Sequence, residues 1–316
     1  MSNANDFGPG IIRSIELTNT CNLRCPQCFQ GKAKVPAGLM DEATFLACLE
    51  HASGYTELSW RGEPLLHPQC VDWAARAKAL RPDLYLGLHT NGILLTEAMF
   101  ADLSAGGLDW LHVSLHTPDS CARYKEVLAW KEKSGSGVMV YAEADNTQEE
   151  LYALAEGLTL DRFESYQAAN WAGYLTGYKP VNADPAAHAR ACPWIVDNTF
   201  TVAFDGTVNA CCWDFELRHA LGHVRDFATI RHHPPYELCV SCIWVRHQDE
   251  RTQEALAEYK GHALARFQGR VYAWPLVLGE MSLREPEARE QAGVFCGHAL
   301  AQVTEMIDRL EAGCHV

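Results

Sequence analysis

The fold is decided by residues 11–28, which read IIRSIELTNTCNLRCPQC. The stretch begins as a β-type apolar run and continues into a loop with three cysteines in the spacing Cys-x3-Cys-x2-Cys: Cys21, Cys25 and Cys28. Three thiolates on one tight loop can hold three irons of a [4Fe-4S] cluster and leave the fourth iron open. The spacing alone also permits a zinc site with a fourth ligand such as His51 or Cys48, because structural zinc is usually four-coordinate.

Outward from this loop, short apolar runs alternate with segments of helical period, which is typical of βα units around a parallel sheet. We predict six strands, at 11–17, 56–60, 84–89, 109–115, 137–143 and 163–169. We predict helices at 41–52, 69–80, 96–104, 119–132 and 147–157, the first with Asp41 as its N-cap. Six units are too few for a closed eight-stranded barrel, so we expect an α/β fold with a partial (β/α)6 TIM-like barrel, and ligands at the carboxyl ends of its strands.

Composition excludes several classes of protein. The 316 residues include 26 Lys and Arg against 40 Asp and Glu, a net charge of −14 that argues against nucleic-acid binding. No apolar run is long enough for a membrane span, and residues 1–10 form a short tail without the features of a secretion signal. We therefore expect a cytoplasmic protein, in which 13 cysteines are better suited to metal binding or chemistry than to disulfides.

A second cysteine group surrounds a predicted hairpin. The runs 199–204 and 207–212 are joined by Asp205-Gly206, a strong hairpin signal because glycine tolerates the positive φ of a tight turn. The candidate ligands come from separate segments: Cys192, Cys211, Cys239 and Cys242. Cys212 is an alternative to Cys211, because neighbours on a strand point to opposite faces. Such a set can enclose a metal centre, either an iron–sulfur cluster or a zinc ribbon.

Residues 11–170 resemble the radical S-adenosylmethionine (SAM) enzymes. Besides the cysteine loop, Arg61-Gly62-Glu63-Pro64 resembles the family's Gly-Gly-Glu-Pro motif with Arg61 in place of the first glycine, and Thr90-Asn91-Gly92 matches a recurring turn. In that family SAM chelates the open iron, and its reductive cleavage gives a 5'-deoxyadenosyl radical that abstracts a hydrogen from substrate. The resemblance implies that SAM is contacted by Gly62, Glu63, Pro64, Asn91, Ser114 and Gln27. At the position of Gln27 the family usually has an aromatic residue.

The second cysteine group resembles the SPASM and shorter twitch domains that follow many radical SAM cores. We favour the twitch form, with one auxiliary [4Fe-4S] cluster besides the SAM-binding one. The expected organisation is a tail at 1–10, a core at 11–175, an auxiliary-cluster domain at 190–245 and a C-terminal helical extension at 246–316. The helical extension is predicted from the period of residues 246–265 and 299–312.

The resemblance to the twitch-bearing aminocyclitol dehydrogenase implies an oxidoreductase of secondary metabolism. Its expected substrate is a small polar molecule of sugar or aminocyclitol type, and the electron would pass to the auxiliary cluster. His116 and Glu143 are candidates for a base or a substrate contact. The expected electron donor is of flavodoxin or ferredoxin type, and we expect neither nucleic acid nor membrane as a partner.

Three alternatives stay open. One is an epimerase in which a cysteine such as Cys296 donates a hydrogen atom. Another is a peptide maturase, for which the 20 residues before Cys21 are too few to form a peptide-recognition domain. A peptide substrate would then need a separate carrier protein or direct capture by the C-terminal segment. The last is a metal scaffold without catalysis, which would not cleave SAM.

Overall fold

The protein is represented by a computed structural model, which describes residues 10–25, 28, 36–145, 163–166, 174, 177–242, 254–259, 262–267, 270–275, 295–297, 303–304 and 306–307. The chain divides into two compact units. The first consists of residues 1–190 and 194–242, and the second of residues 191–193 and 243–316.

The first unit is built on one nine-stranded sheet. Its first six strands are parallel: β1 Ile11–Ile15, β2 Ala52–Glu57, β3 Tyr85–Thr90, β4 Trp110–Leu115, β5 Met139–Asp145 and β6 Phe163–Tyr166. Each overlaps a predicted strand, but β2 begins four residues earlier than the predicted range 56–60 and ends at Glu57. The strand order is β6-β5-β4-β3-β2-β1-β7-β8-β9, so β6 is an edge of the sheet as far as the described residues show. This arrangement confirms the predicted partial (β/α)6 TIM-like barrel.

Four helices connect these strands within the described ranges: α1 Glu42–His51, α2 Cys70–Leu80, α3 Glu97–Ala105 and α4 Pro118–Ser134. Asp41, Thr96 and Thr117 precede α1, α3 and α4, and each side chain accepts a hydrogen bond from a backbone N–H in the first turn. Such caps satisfy N–H groups that have no partner inside the helix. The predicted N-cap Asp41 is confirmed, whereas the predicted helix at 147–157 lies outside the described residues.

The main hydrophobic core lies between these helices and one face of the sheet. Leu86 and Leu88 of β3, Leu111 and Val113 of β4 and Val140 of β5 are fully buried in it. Because side chains alternate along a strand, the intervening residues of β2 to β5 point to the opposite, inner face. That inner face carries the polar side chains described below.

A hairpin extends the sheet on the far side of β1. It consists of β7 Thr199–Val202 and β8 Thr207–Asn209, and β9 Ala220–His223 follows. Gly206 has a φ of 85°, which confirms the predicted hairpin and its turn. The pairing of β7 with β1 is parallel and was not apparent from the local pattern. Further short helices lie at Pro64–Leu66, Pro185–Ala191, Pro193–Val196, Val224–Thr229 and Glu237–Val240.

The second unit corrects the predicted C-terminal helical extension. Residues 254–275, which overlap the helix predicted at 246–265, contain three antiparallel strands, and a fourth follows: β10 Glu254–Tyr259, β11 His262–Phe267, β12 Arg270–Pro275 and β13 Phe295–Gly297. The Ala- and Glu-rich run favours a helix intrinsically, but antiparallel pairing between consecutive strands overrides that preference. Helical residues 303–304 and 306–307 agree with the helix predicted at 299–312, and Val303 and Ile307 pack with Leu264 and Ala273. No helix in the described ranges is long and apolar enough to cross a membrane.

Candidate active site

The first cysteine loop follows the carboxyl end of β1. Cys25 is buried, while Cys21 and Cys28 are half-buried, and the Cys28 N–H donates to the Cys25 carbonyl at 3.0 Å. Burial, and to a lesser extent the nearby thiols of Cys28 and Cys21, raise the pKa of Cys25 to about 11. The three thiols therefore lie within electrostatic range of one another. This donor set suits a positively charged iron–sulfur core, whose binding would replace the three thiol protons.

The two residues considered as a fourth zinc ligand lie in other surroundings. Cys48 is fully buried among apolar side chains of the main core. His51 is the last residue of α1, and its ring packs 4.7 Å from that of Phe227. Among the described residues, no group of three or more His, Cys, Asp or Glu side chains is arranged around a single metal ion.

The loop after β2 packs directly on the cysteine loop. A Cβ atom on Gly62 would lie 2.3 Å from the Thr18 carbonyl oxygen and 2.5 Å from that of Thr20, so only glycine fits. The Glu63 N–H donates to the Thr20 carbonyl at 2.7 Å. This close approach explains the Gly-Glu pair of the motif, and Pro64 begins the short helix that follows.

The Glu63 carboxylate joins the loops after β2 and β3. It accepts hydrogen bonds from the Thr90 hydroxyl at 2.7 Å, the Asn91 N–H at 2.8 Å and the Leu65 N–H at 3.1 Å. Burial raises the pKa of Glu63 to about 7, against the opposing effect of these donors. A carboxylate offers about four acceptor positions, so one remains for a further donor.

Asn91 links the loop after β3 to the cysteine loop. Its Nδ2 donates to Asn22 Oδ1 at 2.8 Å and lies 3.8 Å from the Cys21 sulfur. Gly92 follows with a φ of 79°, which is the conformation that the Thr-Asn-Gly turn predicts. The loops after three successive strands thus meet at Cys21.

Arg61 stands at the first position of the Gly-Glu-Pro loop and is not among the described residues with positive φ. Its guanidinium forms a fully buried bidentate pair with Glu16, with distances of 2.7 Å and 2.5 Å. A further nitrogen donates to the Phe215 carbonyl at 3.0 Å. The arginine therefore ties the end of β1 to the segment after β8, a role that a glycine at this position lacks. In the sequence, Arg61 stands out only as a departure from the motif, and no local pattern points to Glu16.

The inner face of the barrel contains Ser114 and Glu143, which are opposite each other in the register of β4 and β5. His116 lies just beyond the end of β4, so strand alternation does not itself orient its ring. It still lies close enough to His112 to help lower the pKa of that buried histidine, after burial and His89. Sequence analysis missed Glu57 and His112. His112 lies two residues before Ser114 in β4, so the two side chains share a face of the strand, and this spacing was the signal for the histidine.

Part of the second cysteine group is assembled in the first unit. Burial raises the pKa of Cys239 to about 11, and the charge of Cys211 contributes, which places these two thiols near each other. Cys242 follows on the same tight turn, because its N–H donates to the Leu238 carbonyl at 3.0 Å. The Asn182 side chain donates to the carbonyls of both Cys239 and Cys242, at 2.5 Å and 2.8 Å.

The alternation argument that separated Cys211 from Cys212 was wrong. Strand β8 ends at Asn209, so both cysteines lie in the following turn. Their side chains are hydrogen-bonded, which lowers the pKa of Cys211. They are therefore neighbours rather than residues on opposite faces.

Three predicted site residues belong to the second unit or lie outside the described residues. Cys192 is half-buried and belongs with residues 191–193 to the second unit. Cys296 also lies in the second unit, in β13, opposite Tyr272 of β12. Gln27 lies outside the described residues.

Fold and site together define an α/β protein with a partial parallel barrel, whose first loop presents three thiols to the loops after β2 and β3. Residues 15–133 match the sequence profile of the radical SAM superfamily, and this part of the chain is a radical SAM domain. Members of this family bind SAM and a [4Fe-4S] cluster.

Curated relatives match over part of their length. The "tungsten-containing aldehyde ferredoxin oxidoreductase cofactor-modifying protein" of Pyrococcus furiosus is 36% identical, over 32% of this chain and 29% of that protein. The "PqqA peptide cyclase" of Gluconobacter oxydans is 30% identical, over 47% of each chain. The chain thus spans less than half of either relative.

Among solved structures, BtrN in complex with AdoMet and 2-DOIA is 21% identical, with a TM-score of 0.51. The likeness covers 70% of this chain and 81% of that chain. At this identity it shows a shared fold.

Proposed function

We propose that this chain is a radical SAM oxidoreductase acting on a small polar substrate of sugar or aminocyclitol type. The observation that carries the proposal is the meeting of the loops after β1, β2 and β3 at Cys21. Gly62 packs on the backbone of the cysteine loop, and Glu63 reaches Asn91, whose amide reaches Cys21. A binding site for a cluster and an adjacent amino acid-like ligand needs this convergence of groups.

In this proposal each group of residues has a separate task. Cys21, Cys25 and Cys28 hold the cluster, and the free acceptor position of Glu63 receives the ammonium group of SAM. Ser114, on the inner face of β4, contacts the ribose or methionine part of SAM. The cluster and SAM together supply a one-electron cleavage that yields a 5'-deoxyadenosyl radical. Burial of Glu63 excludes water from the ammonium contact, which strengthens it.

We further propose that an auxiliary [4Fe-4S] cluster accepts the electron from the substrate. The nearness of Cys211 to Cys239, and the turn that carries Cys239 and Cys242, support this ligand set. Cys192 is proposed as the fourth ligand from its place in the sequence motif. A flavodoxin- or ferredoxin-type protein in the cytoplasm would supply the reducing electron for SAM cleavage.

The small-substrate proposal draws on the inner face of the barrel. That face carries Glu57, His89, His112, Ser114 and Glu143, which suit a ligand rich in hydroxyl or amino groups. The shared fold with BtrN, solved with AdoMet and 2-DOIA, favours the same class of ligand.

A peptide substrate is the second candidate. The similarity to a PqqA peptide cyclase over 47% of this chain is the observation that favours it. An epimerase with Cys296 as hydrogen donor remains the further alternative, and Cys296 lies in β13 with Tyr272 as its register partner.

The test is an anaerobic screen of the reconstituted full-length protein for 5'-deoxyadenosine formation with aminocyclitols, sugars and candidate peptides. We expect stimulation by an aminocyclitol or sugar, and transfer of deuterium from its reacting carbon into 5'-deoxyadenosine. An oxidised product without solvent hydrogen at that carbon identifies dehydrogenation. Solvent hydrogen at an inverted carbon would instead identify epimerisation, and stimulation by peptides alone would overturn the substrate class.

A further inference from the structure

Four titratable side chains form a continuous line across the inner face of the sheet. His89 Nε2 lies 3.0 Å from Glu57 Oε2, and the Nδ1 atoms of His89 and His112 lie 2.7 Å apart. At the other end, His112 Nε2 lies 3.5 Å from Glu143 Oε2. The line therefore connects one carboxylate to another through two imidazole rings.

The strand register fixes this line. His89 of β3 and His112 of β4 are register partners, and Glu57 and Glu143 come from the flanking strands β2 and β5. His112 is 3% exposed, whereas His89 and Glu143 are 36% and 32% exposed. Only His112 is thus shielded from water, while His89 and Glu143 are partly exposed and Glu143, at one end of the line, can be reached by a molecule on the inner face.

The two rings face each other through the same type of nitrogen, and only one proton fits between nitrogens 2.7 Å apart. A ring that gains a proton on one nitrogen can pass on the proton of its other nitrogen. A change of protonation at Glu143 can therefore reach Glu57 by three transfers, the longest of them over the 3.5 Å between Glu143 Oε2 and His112 Nε2.

We propose that Glu57, His89, His112 and Glu143 form a proton relay, and that Glu143 takes the hydroxyl proton of the substrate during its oxidation. This role rests on the proposed function. Glu143 is the receiving end because it lies beside Ser114 in the register of β4 and β5, and Ser114 is the proposed SAM contact.

The reacting carbon of the substrate in this step is an alcohol carbon. After loss of one hydrogen atom to the 5'-deoxyadenosyl radical, the carbon radical gives one electron to an auxiliary iron–sulfur cluster and its hydroxyl proton to Glu143, and the C=O double bond forms. Glu143 then protonates His112 Nε2, the His112 Nδ1 proton passes to His89 Nδ1, and the His89 Nε2 proton passes to Glu57. The substrate proton is in effect delivered to Glu57.

Other groups surround the relay and keep its members in place. Ser14 of β1 is hydrogen-bonded to Glu57, and the Trp110 ring lies edge-on at 5.2 Å from His89. The Tyr141 ring packs 4.7 Å from that of His112, whose pKa is held well below its usual value by burial, then by His89 and His116. A neutral His112 is the form that can accept and donate a proton in turn.

The first test follows the rings directly, in the reconstituted full chain labelled with 15N-histidine. We expect Glu143→Gln to change the tautomer populations of His112 and His89 together, and Glu57→Gln to do the same from the other end. Glu126→Gln, an exposed carboxylate on α4, should change neither ring. If Glu143→Gln leaves either ring unchanged, the relay is wrong.

The second test separates the relay from the proposed function. With a substrate found in the screen, Glu143→Gln should lower the rate of product formation about 100-fold while 5'-deoxyadenosine still forms, and Glu143→Asp should recover part of it. An unchanged rate would remove Glu143 as the proton acceptor. If the wild type oxidises no alcohol, the proposed function fails, and the NMR arm still decides whether the relay exists.

Discussion

The cysteines of the first group lie within eight consecutive residues of one loop, whereas those of the second come from separate segments of the chain. Covalent connection keeps Cys21, Cys25 and Cys28 near one another, and neighbouring loops only orient them. The second group depends on tertiary contacts, such as the Asn182 amide on the carbonyls of Cys239 and Cys242. A contiguous site can be recognised from spacing, while a dispersed site exists only once the fold has formed.

Two adjacent residues connect the surroundings of the two groups. The Trp60 indole donates to the Cys212 carbonyl at 2.5 Å, and Arg61 donates to the Phe215 carbonyl at 3.0 Å. Arg61 also lies over the Trp60 ring, with its Cζ atom 4.3 Å from the ring centroid. The loop that helps to orient the first group thus also fixes the turn that carries the second.

The largest expected effect comes from the contiguous group. Cys28→Ala should abolish SAM cleavage and remove about four irons per chain, leaving about four of an expected eight. The fold should survive, because the loop is held by backbone contacts such as that of Glu63 with Thr20. Iron and sulfide analysis with a 5'-deoxyadenosine assay checks this.

The matched control is Cys121→Ala, a buried cysteine of α4 outside both groups. It should keep all the iron. Undiminished SAM cleavage by Cys28→Ala would overturn the assignment of the cluster to this loop.

The dispersed group should behave differently. Cys239→Ala should also lose about four irons but retain SAM cleavage, because the first loop is intact. Substrate oxidation should be lost, since no acceptor for the second electron remains. Zinc in the wild-type protein, released by the same substitution, would identify a zinc ribbon instead of a cluster.

The connection between the two groups can be broken at its buried ion pair. Arg61→Met leaves the Glu16 carboxylate buried without its partner, and we expect a loss of about 3–5 kcal/mol in the free energy of unfolding. Urea denaturation measures it. Arg76→Met removes an exposed pair with Glu42 and should cost no more than about 1 kcal/mol. Equal losses would show that the Arg61 pair gives the connection no special stability.

The smallest expected effect is a pH dependence of the free energy of unfolding, caused by His232, which packs against the hairpin strand β7. Burial lowers the pKa of His232 to about 4, and its ring nitrogens lie 2.8 Å from the Tyr236 hydroxyl and 3.0 Å from the Thr199 carbonyl. As the pH falls below 6.5, the unfolded chain takes up a proton before the folded chain does, so stability decreases towards pH 4.

We expect this histidine to account for about 1–2 kcal/mol of that decrease. Urea unfolding of the wild type and of His232→Asn at pH 7 and pH 4.5 isolates the contribution. An identical slope in the variant would contradict it.

Local patterns in the sequence predicted six strands, four helices, the Asp41 cap, the Gly206 turn and the first cysteine loop, because each depends on residues close together in the chain. The same patterns misassigned residues 254–267, whose helical preference yields to pairing between strands. They also placed Cys211 and Cys212 on opposite faces of a strand, although β8 ends at Asn209 and both cysteines lie beyond it.

Tertiary structure alone decided the rest. The parallel pairing of β1 with β7, the buried pair of Glu16 with Arg61 and the line from Glu57 to Glu143 all join residues far apart in sequence. Their contacts depend on strand order and register, which no local period encodes. The sequence by itself therefore determined the class of fold and the thiol loop, whereas folding decided which polar side chains meet on the inner face, because burial there requires each of them to find a partner.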